Sequence, residues 1–246
     1  MPIAFYTFGT YYKKGSPAEG PNADAHRRFV FQVKNKYWPG GSLTSHPAHP
    51  AAQTWITEHA HALDYLVDMV QHNLEEIRYR LDLDSDPLQF IPIPSSDVTR
   101  ATIFSARWSG RDVVQRLAAR GLGQAFLPVV CRQTGISKEG LKRDPTFAEL
   151  VANYEVLGQL NPHARIVYFD DVITWGTHLA AMQHVLGAPD NSCALGVART
   201  DGKTFDAFER RLGHVVGGNG GHKLECLYGD VSDPEHPDPP SDDDPW

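Results

Sequence analysis

From Leu88 to Ala198 short apolar runs alternate with amphipathic stretches, and this alternation limits the possible folds more than any other feature of the chain. Leu88 to Ile93, Ala125 to Val130, Arg165 to Phe169 and Ser192 to Ala198 read as buried strands. Between them lie three helical stretches: Asp112 to Arg120, stopped by Gly121; a segment capped by Asp144, with Pro145 at its first position, through about Leu157; and Thr177 to Leu186, stopped by Gly187. Repeated strand–helix–strand units with short apolar strands predict an α/β class with a largely parallel sheet and right-handed crossovers. In such sheets ligands sit beyond the carboxyl ends of the strands, so chemistry is expected in the strand-to-helix loops. Before this region, Ile3 to Phe8 and Phe29 to Val33 read as strands. Pro50 to about Leu81 reads as helix, with Trp55, Ile56, Ala60, Leu63, Leu66, Val67, Val70, Leu74 and Ile77 at spacings of three and four. His59, His61 and His72 lack metal-ligand spacing and are expected at the surface.

The net charge of −7 over 246 residues is unevenly placed. Residues 230–246 hold seven acids and no Lys or Arg; without them acids and bases balance at 23 each. That Pro-rich segment has little to bury and is expected to be a disordered tail, acting either as a solubilising terminus or as an acidic mimic of nucleic acid. Between Val98 and Pro145 nine basic residues face only Asp112, Glu139 and Asp144. This excess points to an anionic ligand, phosphate or single-stranded nucleic acid, with a solvated helix face as the plainer account of Arg116 and Arg120. Cys131, Cys193 and Cys226 are far apart, which excludes a disulfide scaffold and a zinc ribbon. With no membrane-length apolar run and no basic, apolar leader at Met1 to Tyr6, a cytoplasmic protein is expected.

Several glycine patterns carry no chemistry. The run Gly217 to Lys223 has His222 before its lysine and is no Walker loop. Gly121-Leu122-Gly123 follows a helix, and Gly135-Ile136-Ser137 lacks the closing glycine of a nucleophile elbow. The segment Ile166 to Leu179 differs: an apolar strand ends in Asp170-Asp171, and a Thr/Gly loop then opens a helix. Such a loop directs backbone N–H groups and the helix dipole at an anion, with Thr174 and Thr177 adding hydroxyl donors. Two carboxylates would repel a phosphate unless they serve sugar hydroxyls or a metal. A ribose 5-phosphate satisfies both halves; an Asp-rich helix cap after a core strand is the plainer alternative.

This segment resembles the phosphoribosyl-pyrophosphate motif of type I phosphoribosyltransferases, and is most similar to the ComF-like branch. Supporting pieces fall in that branch's order: Phe31-Gln32-Val33-Lys34, the strand and loop Ile91 to Ser96, the stretch Ser109 to Ala118, the loop Arg132 to Ser137 with Asn153, and Ala194 to Thr200. The resemblance covers about residues 29–200. It implies a single phosphoribosyltransferase-like domain over residues 1–229, with a parallel core and a small hood from about 1–50 and 200–229. It also implies Mg²⁺-assisted transfer of a 5-phosphoribosyl group, a glycosyltransferase reaction, to an unidentified acceptor. Asp170 and Asp171 would be the catalytic pair, holding the ribose hydroxyls. Thr174, Gly176 and Thr177 would hold the 5-phosphate, and Trp175 would join the substrate-binding set by narrowing the loop or stacking on a ligand. Ser95 and Ser96, with Arg111 or Lys138, would receive pyrophosphate, and Mg²⁺ would be held mainly by the ligand's own oxygens. The partner is phosphoribosyl pyrophosphate or another nucleotide containing ribose 5-phosphate. The resemblance also admits non-catalytic roles: a phosphoribosyl-pyrophosphate sensor, an accessory protein for single-stranded DNA in DNA uptake, or a phage-defence effector. The chain departs from the family with Trp175 in place of a second threonine, His178 in place of a hydroxyl residue, Leu150 in place of a basic residue, and no amino-terminal zinc cysteines.

Overall fold

A computed structural model describes residues 3–8, 10–11, 29–31, 33–34, 62–83, 87–174, 176–187, 192–200 and 224–226. Its strands are β1 (Ile3–Thr7), β2 (Thr10–Tyr11), β3 (Leu88–Pro92), β4 (Gln124–Ala125), β5 (Val129–Cys131), β6 (Tyr154–Val156), β7 (Arg165–Ile173), β8 (Ser192–Thr200) and β9 (Leu224–Cys226). Its helices are α1 (Ala62–His72), α2 (Leu74–Arg80), α3 (Ser109–Ala119), α4 (Lys138–Leu141), α5 (Phe147–Asn153) and α6 (Thr177–Val185). One sheet runs β4-β3-β7-β8-β1-β9, with β2 beside β8, and every pairing in it among the described residues is parallel. The α/β class with a parallel sheet is thus as the alternation predicts. A separate antiparallel ribbon pairs β5 with β6.

The central strands are apolar throughout because both faces of the sheet are covered. On β7, Val167 and Phe169 enter one core with Phe90, Leu195 and the apolar stripes of α1 and α3, including Leu66 and Leu117. Ile166 and Tyr168 enter the opposite core with Ile91, Ala194, Leu150 of α5 and Leu179 of α6. Fully burying side chains of this size stabilises the fold by about 1.5–3 kcal/mol each, before the entropy of ordering them is counted. The helix stops behave as read: Gly121 and Gly187 both take positive φ, at 74° and 89°, the left-handed region where glycine carries no Cβ penalty.

Several expectations need correction. Residues 29–31 and 33–34 are helical rather than strand, with Phe29, Val30 and Val33 buried in the first core; a helical turn presents all three to one side, where a strand would alternate them. Ala125 to Val130 is not one strand: β4 pairs with β3, whereas β5 leaves the sheet to pair with β6, and Pro128, lacking an N–H, stands between them. The helix expected from Asp144 to about Leu157 is α5, which is capped by Thr146 instead and stops at Asn153. Thr146 Oγ1 accepts from Glu149 N at 3.3 Å and Glu149 Oε2 accepts from Thr146 N at 2.8 Å, a reciprocal capping box that outcompetes the single Asp cap. After it Tyr154-Glu155-Val156 becomes β6. Residues 3–7 and 10–11 belong to the main sheet instead of a hood, because β1 lies between β8 and β9 and β2 beside β8. The rest of the expected hood, the helical stretch 50–61, the Gly-rich run near 217 and the 230–246 tail lie outside the described residues.

Candidate functional site

The acid pair lies inside a strand. β7 continues past Phe169 to Ile173, and Asp170 pairs with Gly196 and Val172 with Ala198 of β8. The strand changes face at the acids: Phe169 and Val172, three residues apart, both meet the first core, while Tyr168 and Ile173, five apart, both meet the second. Strict two-residue alternation would forbid this. The side chains stabilise the irregularity, since Asp171 N donates to Asp170 Oδ1 at 2.9 Å and Val172 N to Asp171 Oδ1 at 2.8 Å. Gly196 leaves room opposite: a Cβ there would stand 3.0 Å from Ile173 Cδ1 and 3.2 Å from Thr7 Cγ2.

Electrostatically the pair is unbalanced. Burial first, and the neighbouring Asp171 charge second, hold the Asp170 carboxyl well above the usual carboxylate range. Lys34 opposes this from a distance, its Nζ 3.9 Å from Asp171 Oδ2. Two like charges at the carboxyl end of a central parallel strand are stabilised by cations or hydroxyl donors brought to them.

The turn after the pair leads into α6. Thr174 is exposed, and its Oγ1 lies 2.9 Å from Thr200 Oγ1 at the end of β8. Gly176 is the N-cap with φ of 65°, a left-handed conformation that favours glycine. The first N–H groups of any helix have no intrahelical partner, so α6 opens with donors facing out of its end. Thr177 is buried, and Trp175 lies outside the described residues.

The β3 loop meets this end of the sheet. Ile93 N donates to Phe169 O at 2.9 Å, which ties the chain two residues before Ser95 to the residue preceding the acids. Trp108 Nε1 donates to Ile93 O at 2.8 Å and anchors the loop from beneath. Ser95 Oγ is buried without a hydrogen-bond partner, while Ser96 Oγ donates to Asp97 Oδ1 at 2.8 Å. Cys131 Sγ donates to Ser95 O at 3.5 Å, and Cys131 N to Val98 O at 2.7 Å, so β5 and the following Arg132 lie against the same loop. Burial, then Asp97, push the Cys131 thiol up to about 12, leaving it an inert neutral neighbour.

Arg111 does not stand ready for pyrophosphate. Its Nη1 donates to Ile103 O at 2.8 Å and its Nε to Asp112 Oδ1 at 2.9 Å, which fastens the 98–108 loop to α3. Lys138 opens α4. Sequence reasoning missed a second polar contact: Tyr154 Oη and His178 Nδ1 are 2.9 Å apart. Burial pushes the His178 imidazole down to about 4 and the Tyr154 phenol well above its ordinary value. The available signal was β-propensity in Tyr154-Glu155-Val156, which marks the chain leaving α5.

Among the described residues, no three His, Cys, Asp or Glu side chains gather as a metal cluster, and no helix is long and apolar enough to cross a membrane. No protein-family model matches the chain, and a search of curated proteins finds no match.

Proposed function

We propose that the protein binds phosphoribosyl pyrophosphate, or a related ribose 5-phosphate nucleotide, at the carboxyl ends of β7 and β3, and that it transfers the phosphoribosyl group to an acceptor. One observation carries this reading: two adjacent carboxylates, Asp170 and Asp171, near the carboxyl end of a central parallel strand, with a glycine-capped helix start at Gly176 soon after them. The helix end and Thr174 offer donors to a dianion, and the acids offer acceptors to the two ribose hydroxyls. Asp170 and Asp171 would also favour positive charge developing at the anomeric carbon as the bond to pyrophosphate breaks. Ser95, Ser96 and Lys138 would receive the leaving pyrophosphate. Mg²⁺ fits the donor set, because a cation would offset both the burial and the Asp171 charge that raise Asp170; the acids and the ligand's oxygens would hold it. When bound, Mg²⁺ supplies neutralisation of pyrophosphate charge.

The test is calorimetry of the full chain with Mg²⁺ and phosphoribosyl pyrophosphate, against the double variant Asp170→Asn/Asp171→Asn. Binding by the wild type and its loss in the variant are expected; equal binding by both removes the acid pair from the site. A sensing role without turnover predicts the same binding with no pyrophosphate release, so an assay of released pyrophosphate in the presence of candidate acceptor bases separates the two.

A further inference from the structure

We propose that Tyr154 and His178 are a positioning pair that clamps the 132–137 turn against the amino-terminal end of α6. The inference rests on the phosphate-site reading for its ligand-linked consequence, and on geometry alone for the clamp. His178 is the second residue of α6, the helix whose start forms the proposed phosphate cradle. Its Nδ1 meets the hydroxyl of Tyr154 at 2.9 Å, and Tyr154 is the first residue of β6, paired with Cys131 of β5. The preceding residue, Asn153, holds the next two positions of the chain: Arg132 N donates to Asn153 O at 2.7 Å, Gln133 N to Asn153 Oδ1 at 3.0 Å, and Asn153 Nδ2 to Gln133 O at 3.2 Å. Asn153 and Tyr154 are both buried, while residues 132–135 are exposed. The turn therefore projects into solvent from a buried base, and that base is tied to α6 by a side-chain hydrogen bond.

The far side of the turn is equally constrained. Gly140 of α4 lies so close to Gly135 that an added Cβ would fall 2.2 Å from Gly135 O. The turn thus packs directly against α4, and the Tyr154–His178 bond ties the base of that packed unit to α6. Around His178 stand Asp171 of β7, Lys34 and Asp144, which act on its charge, with Tyr154 as its hydrogen-bond partner. An anion seated at the α6 end would order the helix start, and through His178 and Tyr154 the order would extend to Arg132 and Gln133.

Residue-resolved amide hydrogen exchange of the full chain by NMR tests the clamp without ligand. In Tyr154→Phe and in His178→Asn, the amides of Arg132 and Gln133 are expected to exchange about fivefold faster, the effect of one lost net hydrogen bond, with the amides of β3 and β7 unchanged. The double variant should exchange no faster than either single variant, because one bond serves both residues. Imidazole ¹⁵N shifts give a signature that simple packing would not move: one fixed neutral tautomer of His178 in the wild type, and a mixture in Tyr154→Phe. Wild-type exchange at Arg132 and Gln133 in both single variants, additive effects in the double variant, or an unchanged tautomer in Tyr154→Phe overturns the clamp; His178→Asn decides the exchange test if Tyr154→Phe does not fold. With Mg²⁺ and phosphoribosyl pyrophosphate added, protection is expected at 176–180 and at 132–133 in the wild type, and at 176–180 alone in Tyr154→Phe. No protection at 176–180 in the wild type defeats the phosphate reading while leaving the ligand-free result intact. Ligand protection reaching 132–133 undiminished in Tyr154→Phe overturns the clamp.

Discussion

The acid pair on β7 and the basic stretch from 98 to 145 carry opposite formal charge, and the fold treats them in opposite ways. The basic stretch has a large surplus in sequence, yet acids mostly from outside it meet many of its cations. Arg100 Nη2 lies 2.7 Å from Glu155 Oε1, Arg116 pairs with Asp64, Arg120 Nη1 lies 3.0 Å from Asp68 Oδ1, and Arg143 pairs with Glu149. Asp64 and Asp68 belong to α1, so Arg116 of α3 and Arg120 at its C-cap join the helices that cover one face of the sheet. Arg107, Arg132 and Lys142 are exposed and carry no ion pair among the described residues. The acid pair is small by comparison, but its repulsion is held in place by strand pairing to β8. A local charge excess in sequence is therefore a weak sign of a ligand when distant residues can answer it. Two adjacent carboxylates fixed on a central strand are a stronger sign, because the backbone prevents their separation.

The sharpest way to break this contrast is to neutralise the acids. Asp170→Asn/Asp171→Asn should weaken phosphoribosyl-pyrophosphate binding about 100-fold, as expected for losing charge-assisted hydrogen bonds, while the melting temperature stays level or rises. Calorimetry and thermal melts measure both; a falling melting temperature would mean that the carboxylates hold the strand together.

The pH dependence of stability separates two half-buried groups of the candidate site, His178 and Asp170. His178 has a folded value near 4 against an ordinary 6.5, so below 6.5 the unfolded chain binds the extra proton and stability falls with pH toward 4. Between pH 7 and 4.5 this amounts to about 2 kcal/mol, which His178→Asn should abolish in denaturant titrations. Asp170 acts with the opposite sign. Its folded value is raised, so the folded chain takes up a proton first and stability rises as pH falls from that raised value toward the ordinary carboxylate range. Asp170→Asn should remove that gain, steepening the acid loss relative to the wild type.

Within the basic stretch, smaller effects should sort by pairing. Arg116→Ala should cost up to about 1 kcal/mol of stability, as expected of an exposed ion pair, and Arg120→Ala somewhat more because its partner Asp68 is mostly buried; both should leave anion affinity alone. Arg107→Ala/Arg132→Ala/Lys142→Ala should leave the melting temperature unchanged and flatten the salt dependence of polyanion binding, read as the slope of log affinity against log salt. A slope unmoved by the triple substitution makes these three ordinary solvated surface, and the region would then differ from the acid pair in lacking a ligand altogether.

The alternation from Leu88 to Ala198 by itself determined the class of fold, because strands buried on both faces must be apolar along their length and the helices between them must be amphipathic. Gly121 and Gly187 marked helix ends for an equally local reason, the need for positive φ. Asp170 and Asp171 were legible as a candidate site, since adjacent acids before a Thr/Gly turn have little use in a core. What tertiary structure alone decided concerns partners distant in sequence. Phe29, Val30 and Val33 became helical because the first core takes all three from one side. Arg116 and Arg120 met acids about fifty residues away. The face change at the acid pair, and the meeting of Tyr154 with His178, follow from how β7, β8 and the β5–β6 ribbon pack together. Local pattern fixes which residues can be buried; which of them meet depends on strand order and register, and neither has a signature within a single segment.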